Sequence, residues 1–568
     1  MMYLRRSLAQ LFLLALCLFL LAACDGGNPP PKAQVKAPAD KQVYTVPIIN
    51  SPDFNTLDPA LAHDSDSINA INMLFTGLVQ LDDHLALRPQ LAQSWSLDPD
   101  GVTWRFKLKS NPKFSDGTPL TANDVIYSLD RALQPATQST VAGLYLTLIK
   151  DSDKLLKAQT PTLIGNSLKA PDKNTVVIVT RKKAAYFPSM LTMPCAYVVE
   201  QSLVKKYGNK FTEHLNEGGG AGPFKVAKYT HSVGIDFSPN GNYYNAKPQL
   251  RQVSFRFYHS SDDAYRDYQN KKIDVTGVPL STLVTDKKSK DFQQVPQAWV
   301  DYYTMNYLTK PFDSIHMRQA FALAIDKTAI AQNVWKNTIL PTNNIVPKGL
   351  PGYNDKLTGP DGTQNLKGDA DKAKQLFQQG LQDEGWTSAS QVPQITLTYA
   401  SNVPGFEQEV NTLIQMWQRV LNVTVTADPV DYDTLLDKVT AATNNQNGIQ
   451  MWGLTWVGEY PDPQDWLSHQ FGKGILNNNM NYGQNFGPTA AKQQAIQQQM
   501  EKADADTNGT ERLQAYQQAE QQLVNDVAWL PIGQVTSTFL RSSSIVGFAD
   551  NAQGFTPPDD WANIYRVQ

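Results

Sequence analysis

Val102-Thr103-Trp104-Arg105-Phe106-Lys107-Leu108, then Ser115-Asp116-Gly117-Thr118-Pro119, then Thr121 with Asp124, set a strand, a turn and a helix start beside one another. In the first piece Val102, Trp104, Phe106 and Leu108 alternate with Thr103, Arg105 and Lys107, the period-two pattern of a half-buried strand. Thr121 and Asp124 stand at capping-box spacing, which opens a helix through Ala132. The same alternation of period two and period 3.6 continues outward. Strands are expected at 43–50, 175–179, 224–229, 234–238 and 253–258. Helices are expected at 68–78, 262–270, 315–333, 370–382, 406–421, 491–503 and 511–523. Interleaved strands and helices make the fold α/β. At 568 residues the chain exceeds one ordinary domain of ~150 residues, so it divides into several lobes. No internal repeat is present.

Composition narrows the function. The 41% hydrophobic and 18% charged residues describe a folded protein with large cores. Fifty Lys and Arg against 53 Asp and Glu leave no basic excess for a phosphate backbone, so nucleic acid is not an expected partner. Arg5 and Arg6 precede an apolar run from Leu8 to Ala23, the layout of an export signal. The run ends in Leu21-Ala22-Ala23-Cys24, which resembles the lipobox of bacterial lipoproteins, whose cysteine is diacylated and becomes the mature N-terminus. Residues 1–23 are therefore expected to be a signal peptide, Cys24 the lipidation site and 24–40 a tether stiffened by three prolines. Of the other two cysteines Cys17 lies inside the signal, which leaves Cys195 without a disulfide partner.

No nucleophile elbow, zinc-protease helix, phosphate loop or cysteine pair is present. The run Gly218-Gly219-Gly220-Ala221-Gly222-Pro223 fits no nucleotide fingerprint and reads as a flexible turn between lobes. The seven histidines include no pair two or four residues apart, so neither a metal site nor a cofactor is expected. Aromatic placement is more informative. Trp452, Trp456, Tyr460 and Trp466 fall in one segment that begins as a strand and ends in an acidic, proline-broken loop with Glu459, Asp462 and Asp465. Glycines at 453 and 458 would admit another backbone. Two readings stay open: a pocket for a chain with a cationic end, or core tryptophans beside solvated acids.

Leu87-Arg88-Pro89-Gln90-Leu91-Ala92-Gln93-Ser94-Trp95, Asp98-Pro99-Asp100-Gly101-Val102-Thr103-Trp104 and Phe114-Ser115-Asp116-Gly117-Thr118-Pro119-Leu120-Thr121 occur in that order. Gly222-Pro223-Phe224-Lys225, Asn306 with Pro311-Phe312-Asp313, Ala324-Ile325-Asp326-Lys327 and Tyr460-Pro461-Asp462-Pro463 follow. Together they resemble the solute-binding lipoproteins of peptide ABC transporters from about Val43 to the C-terminus. The resemblance implies a two-lobed periplasmic-binding-protein clamshell with an extra domain inserted in the N-terminal lobe. Lobe I would comprise 41–78, 199–300 and 530–568, the inserted domain 79–198, and lobe II 301–529. It also implies a monomer without catalysis, held on the extracytoplasmic face of the cell membrane by its lipid, passing short peptides to permease subunits. Aligned on Trp456, the position that meets the peptide amino terminus is Glu459, where the family carries Asp. Trp456, Val457 and Gly458, with His63, Asp64, Ser65 and Asp66, would pair with peptide backbone. Trp452, Tyr460, Asp462, Tyr302 and Asn306 would complete the site, with Asp462 and Asp465 as rival anchors. Family relatives bind other solutes, among them oligosaccharides, nickel complexes, haem and opines, and stacking of a sugar would use Trp452, Trp456 and Trp466.

Overall fold

A computed structural model of the chain describes residues 35–568. The expected signal peptide and Cys24 lie outside the described residues. The tether was expected to reach residue 40, but its last part belongs to the folded body. Lys36 bridges Val567, the Ala37 N–H donates to the Arg566 carbonyl at 2.8 Å, and the Gln568 N–H donates to the Val35 carbonyl at 2.9 Å.

Three sheets organise the rest. One has four strands in the order Val43–Ile49, Gln252–Tyr258, Gly234–Pro239, Phe224–Thr230, the first pair parallel and the others antiparallel. A second, antiparallel sheet runs Ala92–Leu97, Thr103–Leu108, Thr175–Val179, Leu168–Asp172. Thr103–Leu108 is the alternating strand of the sequence, with Trp104, Phe106 and Leu108 buried. The Thr121–Asp124 capping box is formed, opening a helix over Ala122–Leu133. The third sheet has seven strands, in which Ile395–Ala400 and Val425–Val430 lie parallel with the Phe406–Leu421 helix between them in the chain. Its long central strands, Phe292–Met305 and Leu530–Arg541, pair with each other along most of their length. One end meets Val275–Gly277; the other meets Met451–Val457 and Ile339–Pro341. The boundary expected at 300 falls inside the Phe292–Met305 strand, whereas that at 530 coincides with the first residue of Leu530–Arg541.

Three local expectations change. The helix expected over 68–78 spans Ser65–Leu74, because Asp64 caps it through the Ser67 N–H and Phe75 turns extended. The helix expected over 315–333 is two, Ile315–Leu323 and Lys327–Asn333, since Asp326 re-caps the second through the Ala329 N–H. The glycine run is not a flexible turn. A Cβ on Gly220 or Gly222 would collide with the Met73–Leu74 backbone, and the Gly222 N–H donates to the Leu74 carbonyl at 2.9 Å, so these glycines permit close packing.

Several carboxyls are buried in this frame. Burial pushes Glu520 up to about 8 although the Ile345 and Val346 N–H groups donate to it at 2.8 and 2.9 Å. Burial likewise pushes Asp504 up to about 6 and, with the Asp301 charge nearby, lifts Glu409. A carboxyl with a raised folded pKa contributes its full stabilisation below its unfolded value of ~4 and loses it as pH climbs through the folded value. Lys327 acts in the opposite sense. Burial lowers its ammonium to about 7, so its contribution grows from there to the unfolded value of ~10.4. The melting temperature is therefore expected to fall between pH 5 and pH 7, and Glu520→Gln to flatten that slope. A melting temperature that rises across this window in calorimetry would contradict the assignment.

Candidate functional site

A cleft of about 700 Å³ opens between the body carrying the Val43–Ile49 sheet and the end of the Met451–Val457 strand. His63, Ser65 and Asp66 line one wall; Trp299, Val457, Gly458 and Glu459 line the other. Tyr145 and Met193 reach in from the part of the chain that carries the second sheet.

The Met451–Val457 strand starts in the core and ends in the cleft. Trp452 is 1% exposed, whereas Val457 is 46% exposed. One edge pairs with Trp299–Met305, while the other has a strand partner only at Met451 and Trp452. From Gly453 to Val457 that second edge has no strand partner among the described residues. The Gly458 N–H is already taken, donating to the Ala298 carbonyl at 2.8 Å.

The glycines serve the protein's own aromatic rings and do not admit a second backbone. A Cβ on Gly453 would meet the Tyr303 ring at 2.6 Å, and one on Gly458 would meet the Trp466 ring at 2.9 Å. Trp452 and Trp466 are core residues, so the aromatic box and the three-tryptophan sugar platform are not built. Tyr460 is buried, stacks on Tyr186 and donates its hydroxyl to Gln464. Tyr302 is buried with its ring 3.7 Å from that of Trp529. Asn306 is fully buried, accepting from the Leu308 N–H at 3.0 Å and the Asn481 amide at 2.9 Å while donating to the Asn445 carbonyl at 3.1 Å. These groups stabilise the wall and do not line the cleft.

The acidic loop separates into two roles. Asp462 caps the short helix Pro463–Trp466 and takes both arms of the Arg512 guanidinium at 2.6 and 2.9 Å, so it is not a free anchor. Asp465 folds back beneath Glu459. It is fully buried, accepts the Glu459 N–H at 3.0 Å and the Trp456 indole N–H at 3.3 Å, and faces His469 Nδ1 at 3.3 Å. The Glu459 carboxylate itself accepts no hydrogen bond among the described residues. Burial, with the Asp465 charge beneath, pushes it up to about 7. Burial disfavours the His469 cation, yet the Asp465 hydrogen bond and the Asp465 and Glu459 charges outweigh this and raise its pKa. Two carboxylates thus share one imidazole, and among the described residues no Lys or Arg bridges either.

Across the cleft His63 is exposed, and Asp64 is committed to the Ser67 N–H at 2.8 Å. Burial, with the Asp64 charge, raises Asp66. Sequence reasoning missed Trp299, which is 41% exposed and stands opposite Val457 in the strand register. It also missed Arg541, which lines the cleft over the Phe548 ring at 4.0 Å and pairs with Asp550 at 2.6 Å.

The model of the family described as bacterial extracellular solute-binding proteins, family 5 Middle, matches residues 86–478. The chain belongs to this family. Among its relatives, the oligopeptide-binding protein OppA of Bacillus subtilis (strain 168) is 24% identical over 535 residues, covering 93% of this chain and 94% of that one. The periplasmic oligopeptide-binding protein OppA of Salmonella typhimurium (strain LT2) is 27% identical over 556 residues, covering 96% and 95%. In fold, the chain is similar to the murein tripeptide-binding protein MppA in its unliganded open form, with a TM-score of 0.80 and 23% identity over 95% of this chain and 99% of that one. This family 5 chain has the two-lobed α/β fold of periplasmic binding proteins, as the sequence resemblance implied. No described helix is long and apolar enough to cross a membrane.

Proposed function

We propose that this family 5 protein captures short peptides in the cleft, without turning them over, and presents them to the permease of an ABC importer. The observation that carries the reading is the Glu459–Asp465 pair. A partly buried carboxylate that accepts no hydrogen bond among the described residues, and shares its one nearby imidazole with a second carboxylate, is costly unless a further cation arrives. A peptide's amino terminus is such a cation, and every unblocked peptide has one. The unpaired edge from Gly453 to Val457 offers main-chain groups to an extended ligand, the other feature all peptides share. His63, Ser65 and Asp66 bound it on the opposite wall. The peptide binders among the relatives support the same ligand class.

In this reading lobe I is 41–78, 199–300 and 530–568, the inserted domain 79–198 and lobe II 301–529, with closure about the long paired strands. Adding peptide is expected to shrink the radius of gyration in solution scattering. It should also raise stability by ~2.7 kcal/mol at a hundredfold excess over Kd. Cleaved peptide accumulating on incubation with homogeneous protein would replace this reading with an enzyme. The body is held at the membrane through diacylated Cys24, followed by a polar tether that ends before residue 35. Cys24→Ser is expected to release the protein to the soluble fraction or leave it unprocessed; mature-sized variant still in the membrane fraction would refute the anchor.

A further inference from the structure

Glu459, Asp465 and His469 each offer one ligand atom, and the three atoms lie within 4.8 Å of one another. A peptide ammonium would touch Glu459, with Asp465 acting on it only from beneath as a buried charge and His469 facing Asp465. The cluster contains a single histidine, so no histidine pair marks it in the sequence, and the turn after Gly458 brings that histidine to the carboxylates.

The donor set is two carboxylate oxygens and one imidazole nitrogen. It suits Zn2+ and its late first-row neighbours, whereas Ca2+ and Mg2+ prefer shells of six or more oxygens. The arrangement around the cluster is that of held ligands. The Glu459 N–H and Trp456 indole N–H orient Asp465, and the Trp456 ring stands edge-on to His469 at 5.9 Å and 88°. The Glu459 carboxylate, which accepts no hydrogen bond among the described residues, is free to rotate and close the set around one ion. Metal–ligand bonds of ~2.0–2.2 Å require only that modest contraction. Three protein ligands leave coordination positions open, and Glu459 borders the cleft. The amine nitrogen and first carbonyl oxygen of a peptide make a five-membered chelate that fills two such positions.

We propose that Glu459, Asp465 and His469 form a divalent transition-metal site open to the cleft, so that the protein accepts a metal chelate of a peptide as well as metal-free peptide. The chelate half of this proposal rests on the peptide reading above; the metal site does not.

The test uses the mature-length protein stripped with chelator, with Zn2+ alone as the first probe, followed by calorimetry and elemental analysis after dialysis. Wild type is expected to bind one Zn2+ per chain, and His469→Gln to bind it at least tenfold more weakly, with melting temperature reporting the variant's integrity. Co2+ substitution gives a second readout, its visible absorption bands lost in His469→Gln. His231 is the control, an exposed imidazole between Asp53 at 2.7 Å and Glu213 at 2.9 Å, and His231→Gln should leave Zn2+ affinity unchanged. No stoichiometric Zn2+ in wild type, equal affinity in folded His469→Gln, or loss in His231→Gln would overturn the site. A peptide that binds wild type no more tightly with Zn2+ than in chelator would overturn the chelate half. Metal-free peptide binding to wild type in chelator judges the peptide reading separately, so either can fail while the other stands.

Discussion

Glu459→Gln is expected to weaken binding of a free-amine peptide, measured in chelator, by roughly 30-fold to several-thousand-fold. Loss of one member of a desolvated charge pair typically costs ~2–5 kcal/mol, and each ~1.4 kcal/mol is tenfold in affinity. The residue borders the cleft, accepts no hydrogen bond among the described residues and lies over buried Asp465. The one nearby protein cation, His469, faces Asp465, so ionising Glu459 is only partly offset within the protein and the incoming ammonium supplies the rest. The same burial that lifts the carboxyl to about 7 means that some binding energy is spent ionising it at neutral pH, which places the expected loss toward the lower end of the range. Glutamine preserves the shape, so an N-acetylated peptide should bind wild type and variant almost equally. Equal calorimetric affinities for the free-amine peptide would remove Glu459 from the anchor role.

The sequence was most legible where one element decides its own structure. The alternation around Trp104 and Phe106 and the Thr121–Asp124 box are local signals, and both elements form as read. The break near Ala324 was lost because apolar spacing carries through it, and only the Asp326 side chain, re-capping a new helix, marks the restart. At the site, family resemblance pointed to Glu459 and its place on the cleft wall. What surrounds it could not be read, because the deciding contacts are distant in sequence. Gly453 looks like a gap for a ligand until Tyr303 fills it. Trp299 looks like one more core tryptophan until pairing with Val457 puts it at the rim. Asp462 looks like a rival to Glu459 until Arg512 arrives from another helix.

That last contact carries the largest expected loss of stability. Arg512 and Asp462 side chains are only 9% and 8% exposed, and the guanidinium makes two parallel hydrogen bonds to the carboxylate. Arg512 also donates to the Ala503 carbonyl at 3.1 Å and lies 4.9 Å from the Tyr516 ring centre. Arg512→Ala leaves the Asp462 carboxylate in the interior with the Gln464 N–H at 2.9 Å as its remaining donor among the described residues. Breaking a buried pair in this way costs ~3–5 kcal/mol, most of it the burden of the stranded charge. The variant's unfolding midpoint in denaturant should drop accordingly. Arg512→Lys should recover part of the loss, because it restores charge without the two-pronged geometry. Adding Asp462→Asn to Arg512→Ala should cost less than the sum of the two single changes, since it removes the charge that Arg512→Ala strands. The pair ties the Tyr460–Trp466 turn, and through it Asp465, to the Gly509–Asn525 helix, so its loss should show first in stability and only secondarily in peptide affinity. A folded Arg512→Ala protein within ~0.5 kcal/mol of wild type would mean that solvent reaches Asp462 and that the turn is held by Tyr460 and Trp466 packing alone.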